Sequence, residues 1–177
     1  MVAGGAQPIA CSHPGHCPAE LAYVDPLGTS LIADAEVLVR ATYENHWQKN
    51  KKPAPHVQPS MINNRELREK IGLSVWRRHK LGDSTLEGLN KHLASLNEAQ
   101  PFRQAYALTG TQLRQISDPV LGRVISLINN TDTGHGRPPE PAHAAIFICD
   151  RTFNFDAAFE YAKTALYIDF RNAPLTA

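Results

Sequence analysis

The sequence predicts a mainly α fold with a small β component (α+β): a single domain over residues 1–177, with a helical core and an irregular N-terminal arm. Three observations predict it. The 177 residues are 42% hydrophobic and 20% charged, near globular averages and sufficient for one core. Apolar residues recur at three- and four-residue spacing in several segments that begin with capping residue types. Only the run 144–149 (Ala-Ala-Ile-Phe-Ile-Cys) is continuously apolar over the length of a strand.

Residues 1–28 form the arm, because Pro8, Pro14, Pro18 and Pro26 interrupt any regular pattern; 21–24 is its one short strand. Over 30–48, Ser30 can cap a helix whose stripe is Leu31, Ala35, Leu38, Thr42 and His46. Pro53, Pro55 and Pro59 then make 49–62 an extended linker, since proline has no N–H and disfavours helix before it. Asn63 and Glu66 form a capping box for a helix over 63–80, with Leu67, Ile71 and Val75 on one face and Gly82 as its left-handed stop. Ser84 and Glu87 form a second box, followed by Leu86, Leu89, Leu93 and Leu96 in 3-4-3 spacing.

The pattern continues with a helix over 101–116, interrupted at Gly110. Another begins at Asp118-Pro119 and carries Leu121, Val124, Ile125 and Ile128. Residues 129–143 lack periodicity and form a long loop. After the 144–149 strand comes a last helix marked by Phe155, Phe159, Ala162 and Leu166, then a short strand at 167–170. In all, about five or six helices are expected.

Composition narrows function only coarsely. Net charge is +1, so no global field selects nucleic acid or membrane. No apolar run reaches bilayer-spanning length, which predicts no membrane partner. The first ten residues lack the pattern of a secretory signal, and three cysteines are an odd number for a disulfide framework, so the cytoplasm is the expected location. Phosphate-binding Gly-rich loops, dinucleotide fingerprints, nucleophile elbows and HExxH are all missing from the sequence, which disfavours the enzyme classes they mark.

Three constellations carry chemistry. The first is Cys11, His13, His16 and Cys17: thiolates and imidazoles suit tetrahedral zinc, with His46 or His56 as further ligands. Alternatively, Cys11 and Cys17 close a small disulfide loop or serve no joint role. The second is a basic region. Residues 49–80 hold nine Lys/Arg and two Glu, a local +7, while the other 145 residues carry −6. Lys49, Lys51, Lys52, Arg77, Arg78 and Lys80, with Trp47 and Trp76 nearby, could contact a phosphate backbone or an acidic protein. The third is the 129–143 loop, where His135 and His143 could act as acid and base and Arg137 could hold an anion.

Arg137 and His143, separated by five residues, together with the stretch 130–135, resemble part of the motif of HEPN ribonuclease domains. That resemblance implies a helical bundle and RNA cleavage. Asn129 stands where the family's Arg precedes the Asn, and Pro138, Pro139 and Pro141 oppose the helix that carries the pair.

The leading expectation is therefore a small binding or regulatory protein. It acts on nucleic acid or an acidic partner through its basic region, with zinc ordering the arm. A metal-independent or metal-assisted, nuclease-like hydrolase using His135, Arg137 and His143 is the alternative, and an assembly subunit using its Pro-rich arm is a third.

Overall fold

A computed structural model of the chain describes residues 20, 21, 27, 31–48, 56–68, 72–96, 102–131, 138–149 and 155–176. Five strands form its main sheet: β1 (Val37–Tyr43), β2 (Leu73–Arg77), β3 (Phe102–Thr109), β4 (Ile125–Ile128) and β5 (His143–Ile148). Their spatial order is β3-β1-β2-β5-β4, and every neighbouring pair is antiparallel. The expected helical core is thus corrected: the core is built on an antiparallel sheet. The helical bundle implied by the HEPN resemblance is corrected with it.

Four short or medium helices flank the strands: α1 (Asn64–Arg68), α2 (Leu86–Ser95), α3 (Gly110–Arg114) and α4 (Phe155–Arg171). Strand residues alternate between two apolar faces. On one face Leu38, Val75, Leu108 and Ile146 share a core with Phe159, Leu166 and Phe170 of α4. On the other, Val39, Ala41, Trp76 and Ala105 pack with Leu89 and Leu93 of α2. Each fully buried Val, Leu, Ile or Phe among them contributes about 2 kcal/mol relative to exposure.

The two-sided burial explains the misread segments. The 30–48 stretch holds β1, not a helix, and its Leu38–Val39 neighbours serve opposite cores. A strand buried on both faces loses polar/apolar alternation, so its apolar residues also fit a helical stripe. The 63–80 stretch divides in the same way. Asn63 does cap α1, accepting from the Arg65 and Glu66 amides at 2.9 and 3.4 Å. The described helix nevertheless covers only Asn64–Arg68, and Leu73–Arg77 is strand. The left-handed residue is Gly72 (φ 75), not Gly82.

Similarly, 102–109 is β3, and Gly110 opens α3 behind a Thr109–Gln112 capping box. Asp118-Pro119 starts a turn instead of a helix: the Asp118 carboxylate accepts from the Val120 and Leu121 amides at 2.7 and 2.8 Å, an Asx turn. The following Ile-Ser-Leu-Ile is β4, buried throughout. The expected strand at 167–170 is the last part of α4. The expected strand over 144–149 and the helices after Ser84 and at Phe155 are present as β5, α2 and α4, although α2 is capped by Thr85, whose side chain accepts from Gly88 N.

Candidate active site

His143 begins β5 opposite Trp76 of β2, and the next residue pair on that face is Ala145 opposite Ser74. The two-residue period therefore points His143, Trp76 and Ser74 to the same side of the sheet. The His143 Nδ1 is hydrogen-bonded to the Asn130 carbonyl, and its Nε2 lies 3.1 Å from Ser74 Oγ. A carbonyl only accepts, so Nδ1 carries the proton and donates it. In the neutral ring Nε2 then accepts from the Ser74 hydroxyl. Serine, imidazole and an orienting acceptor are thus joined in series, the order that nucleophilic catalysis requires.

The surroundings hold both partners. Ladder pairing between β1 and β2 runs through Val39–Trp76; beyond it the buried Arg40 guanidinium donates to the Ser74 carbonyl at 2.7 Å and to the Met61 carbonyl at 3.0 Å. The Ser74 amide donates to Glu66 Oε2 at 3.3 Å. Ser74 stays half-buried while His143 is buried. The Trp76 ring meets the His143 ring edge-on at 5.3 Å and the His92 ring at 5.2 Å.

Glu140 forms part of this region. Its amide donates to the Thr131 carbonyl at 2.7 Å, and its carbonyl accepts from the His143 amide at 3.0 Å. Its carboxylate accepts from the Ala142 amide at 3.0 Å, and its other oxygen lies 3.7 Å from His92 Nε2, too far for a hydrogen bond.

The expected site residues are distributed unevenly. His143 is at the centre just described. His135 and Arg137 lie outside the described residues, as do Cys11, His13, His16, Cys17, Lys49, Lys51 and Lys52. Among the described residues no group of three or more His, Cys, Asp or Glu could hold a metal ion. His46, considered as an added ligand, is half-buried, and its Nδ1 accepts from the Tyr43 amide at 3.3 Å.

Arg77 is placed inside the protein. Its guanidinium engages both oxygens of Glu36 and donates to Asn129 Oδ1 at 2.7 Å, with a relative exposure of 1%. This removes it from any polyanion-facing surface. Arg78 is half-buried and donates to the Ser84 carbonyl at 3.1 Å, and Lys80 is exposed. Of the six residues expected to contact a polyanion, the described ones thus leave Arg78 and Lys80 for outside partners.

Sequence reading missed Ser74. Its signal was present in Leu-Ser-Val-Trp-Arg, a period-two strand pattern masked by the helical spacing of Leu67, Ile71 and Val75. Glu20 was also unmarked: its buried carboxylate binds the guanidinium groups of Arg114 and Arg123. No helix among the described residues is long and apolar enough to cross a membrane. Comparison of the chain with protein-family models, with curated proteins and with solved structures returned no match.

Proposed function

We propose that the protein is a hydrolase of the serine-nucleophile type, with Ser74 attacking and His143 as general base. The observation that carries this reading is the 3.1 Å contact between His143 Nε2 and Ser74 Oγ, with Nδ1 held by the Asn130 carbonyl. In the first step His143 takes the Ser74 proton as Oγ bonds to a substrate acyl carbon. Protonated His143 then returns that proton to the departing alcohol or amine. A water repeats the sequence, with His143 as base, and frees Ser74.

The carbonyl partner orients the ring and selects its tautomer, but it supplies only a dipole where a carboxylate would supply a full charge. This reading keeps His143 as the acid–base group expected from sequence and assigns the nucleophile to Ser74. The polyanion-binding reading rests on less, since Arg77 is committed to Glu36.

The test is covalent labelling of the full chain with a fluorophosphonate, read by peptide mass spectrometry, together with hydrolysis of p-nitrophenyl butyrate. Labelling should fall on Ser74 and vanish in Ser74→Ala. In His143→Gln the labelling rate should drop by about a hundredfold or more while the melting curve stays cooperative. A wild-type protein that takes no label at Ser74 and hydrolyses no ester overturns the proposal.

A further inference from the structure

A second feature lies on the opposite side of the sheet order, where β3, α3 and α4 meet. A cavity of about 580 Å³ opens there, lined by Leu108, Gln112, Ile116, Tyr161, Ile168 and Asp169. Its walls mix apolar and polar groups: Leu108 and Ile116 are buried, Ile168 is 43% exposed, and Gln112, Tyr161 and Asp169 bring polar atoms to it. Two of its polar side chains are engaged within the protein. Tyr161 donates to the Ser117 carbonyl at 2.8 Å, and Gln112 Oε1 accepts from the Thr109 amide at 2.8 Å.

Asp169 differs. It is half-buried, and among the described residues no hydrogen bond or ion pair reaches its carboxylate. Burial pushes its pKa above the ordinary 3.8. The nearby cations are directed elsewhere: Arg114 to Glu20 and Asp34, Arg171 over Tyr167 and Lys163 over Phe159. A partly desolvated carboxylate without a counter-ion is unfavourable for folding, and a bound cation would offset that.

We propose that this cavity binds an organic cation, a primary ammonium or guanidinium on a short apolar stem, with Asp169 taking the charge and Ile116, Tyr161 and Ile168 taking the stem. The site is independent of Ser74 and His143. One carboxylate with amide neighbours is too few ligands for a divalent metal, whereas one carboxylate beside the apolar side chains of Ile116 and Ile168 matches an amphipathic cation.

The experiment is a titration of the full chain with agmatine, followed by amide chemical shifts and by calorimetry. Pentanol serves as the uncharged comparison and an Arg-containing tripeptide as the peptide-borne source of the same group. Agmatine should shift the Gln112, Ile116, Ile168 and Asp169 amides, with Kd in the range of about 1 mM or tighter. Pentanol and the Asp169→Asn variant should each show binding weakened about tenfold or more. Binding of the tripeptide as well as agmatine assigns the site to a peptide side chain, and binding of agmatine alone assigns it to a free amine; both support the proposal. Equal response to pentanol, undiminished agmatine binding in Asp169→Asn, or no response to agmatine overturns it. The variant's melting curve confirms that it is folded.

Discussion

At the residue scale, the arrangement at His143 shows how one hydrogen bond sets the role of another. The Asn130 carbonyl holds the proton on Nδ1, so Nε2 faces Ser74 as an acceptor. His46 gives a separate titration prediction. Burial lowers its pKa below the ordinary 6.5, with Arg40 adding to the effect and Glu66 opposing it. The unfolded chain therefore binds a proton near pH 6.5 that the folded chain resists, and stability declines as pH falls from 6.5 toward the folded pKa. Urea denaturation from pH 7.5 to 5 should show that decline, and His46→Gln should flatten it. Asp169 has the opposite sign. Its raised pKa means that the folded state binds the proton more readily, so stability falls as pH rises from 3.8 through the folded pKa and stays lower above it. Asp169→Asn should therefore melt higher than wild type at pH 7, in a calorimetric scan of both proteins.

At the element scale, short structures depend on specific caps and glycines. Thr85 caps α2 by accepting from the Gly88 amide at 3.0 Å, and Thr85→Ala should lower stability by about 1 kcal/mol in denaturant titrations. Gly72 sits immediately before β2 at φ 75. A Cβ there would sit 2.8 Å from the Phe147 ring and 2.9 Å from Ala145 Cβ. Gly72→Ala combines a strained backbone with a clash against β5, so its loss should exceed the cap's, at about 2 kcal/mol or more. If Gly72→Ala unfolds at the wild-type midpoint, the β2–β5 packing described above is wrong.

At the scale of the whole molecule, buried ion pairs connect distant parts of the chain. Glu20 reaches Arg114, Arg123 and the Leu127 amide, which ties the N-terminal side to α3 and to β4. Arg77 similarly links β2 to Glu36 and Asn129. Such pairs add little net stability when complete, but removing one partner strands the other charge. Glu20→Ala should cost about 3 kcal/mol by chemical denaturation. Arg114 would keep Asp34 and the Ile32 carbonyl, and Arg123 the Ile125 carbonyl. That remaining pairing favours the lower end of the usual range.

By itself the sequence determined the elements whose local pattern allows one reading. The Ala-Ala-Ile-Phe-Ile-Cys run became β5, the leucine spacing after Thr85 became α2, and the Phe155 to Leu166 stripe became α4. It also marked His143 as an acid–base candidate. Tertiary structure decided β1 to β4; β1, β2 and β3, which pack with α4 on one face and α2 on the other, carry apolar residues in both phases, and helical spacing then arises by coincidence. It likewise decided the partner of His143. Ser74 lies 69 positions away, and only antiparallel pairing of β2 with β5 sets the two side chains on one face, within hydrogen-bonding distance.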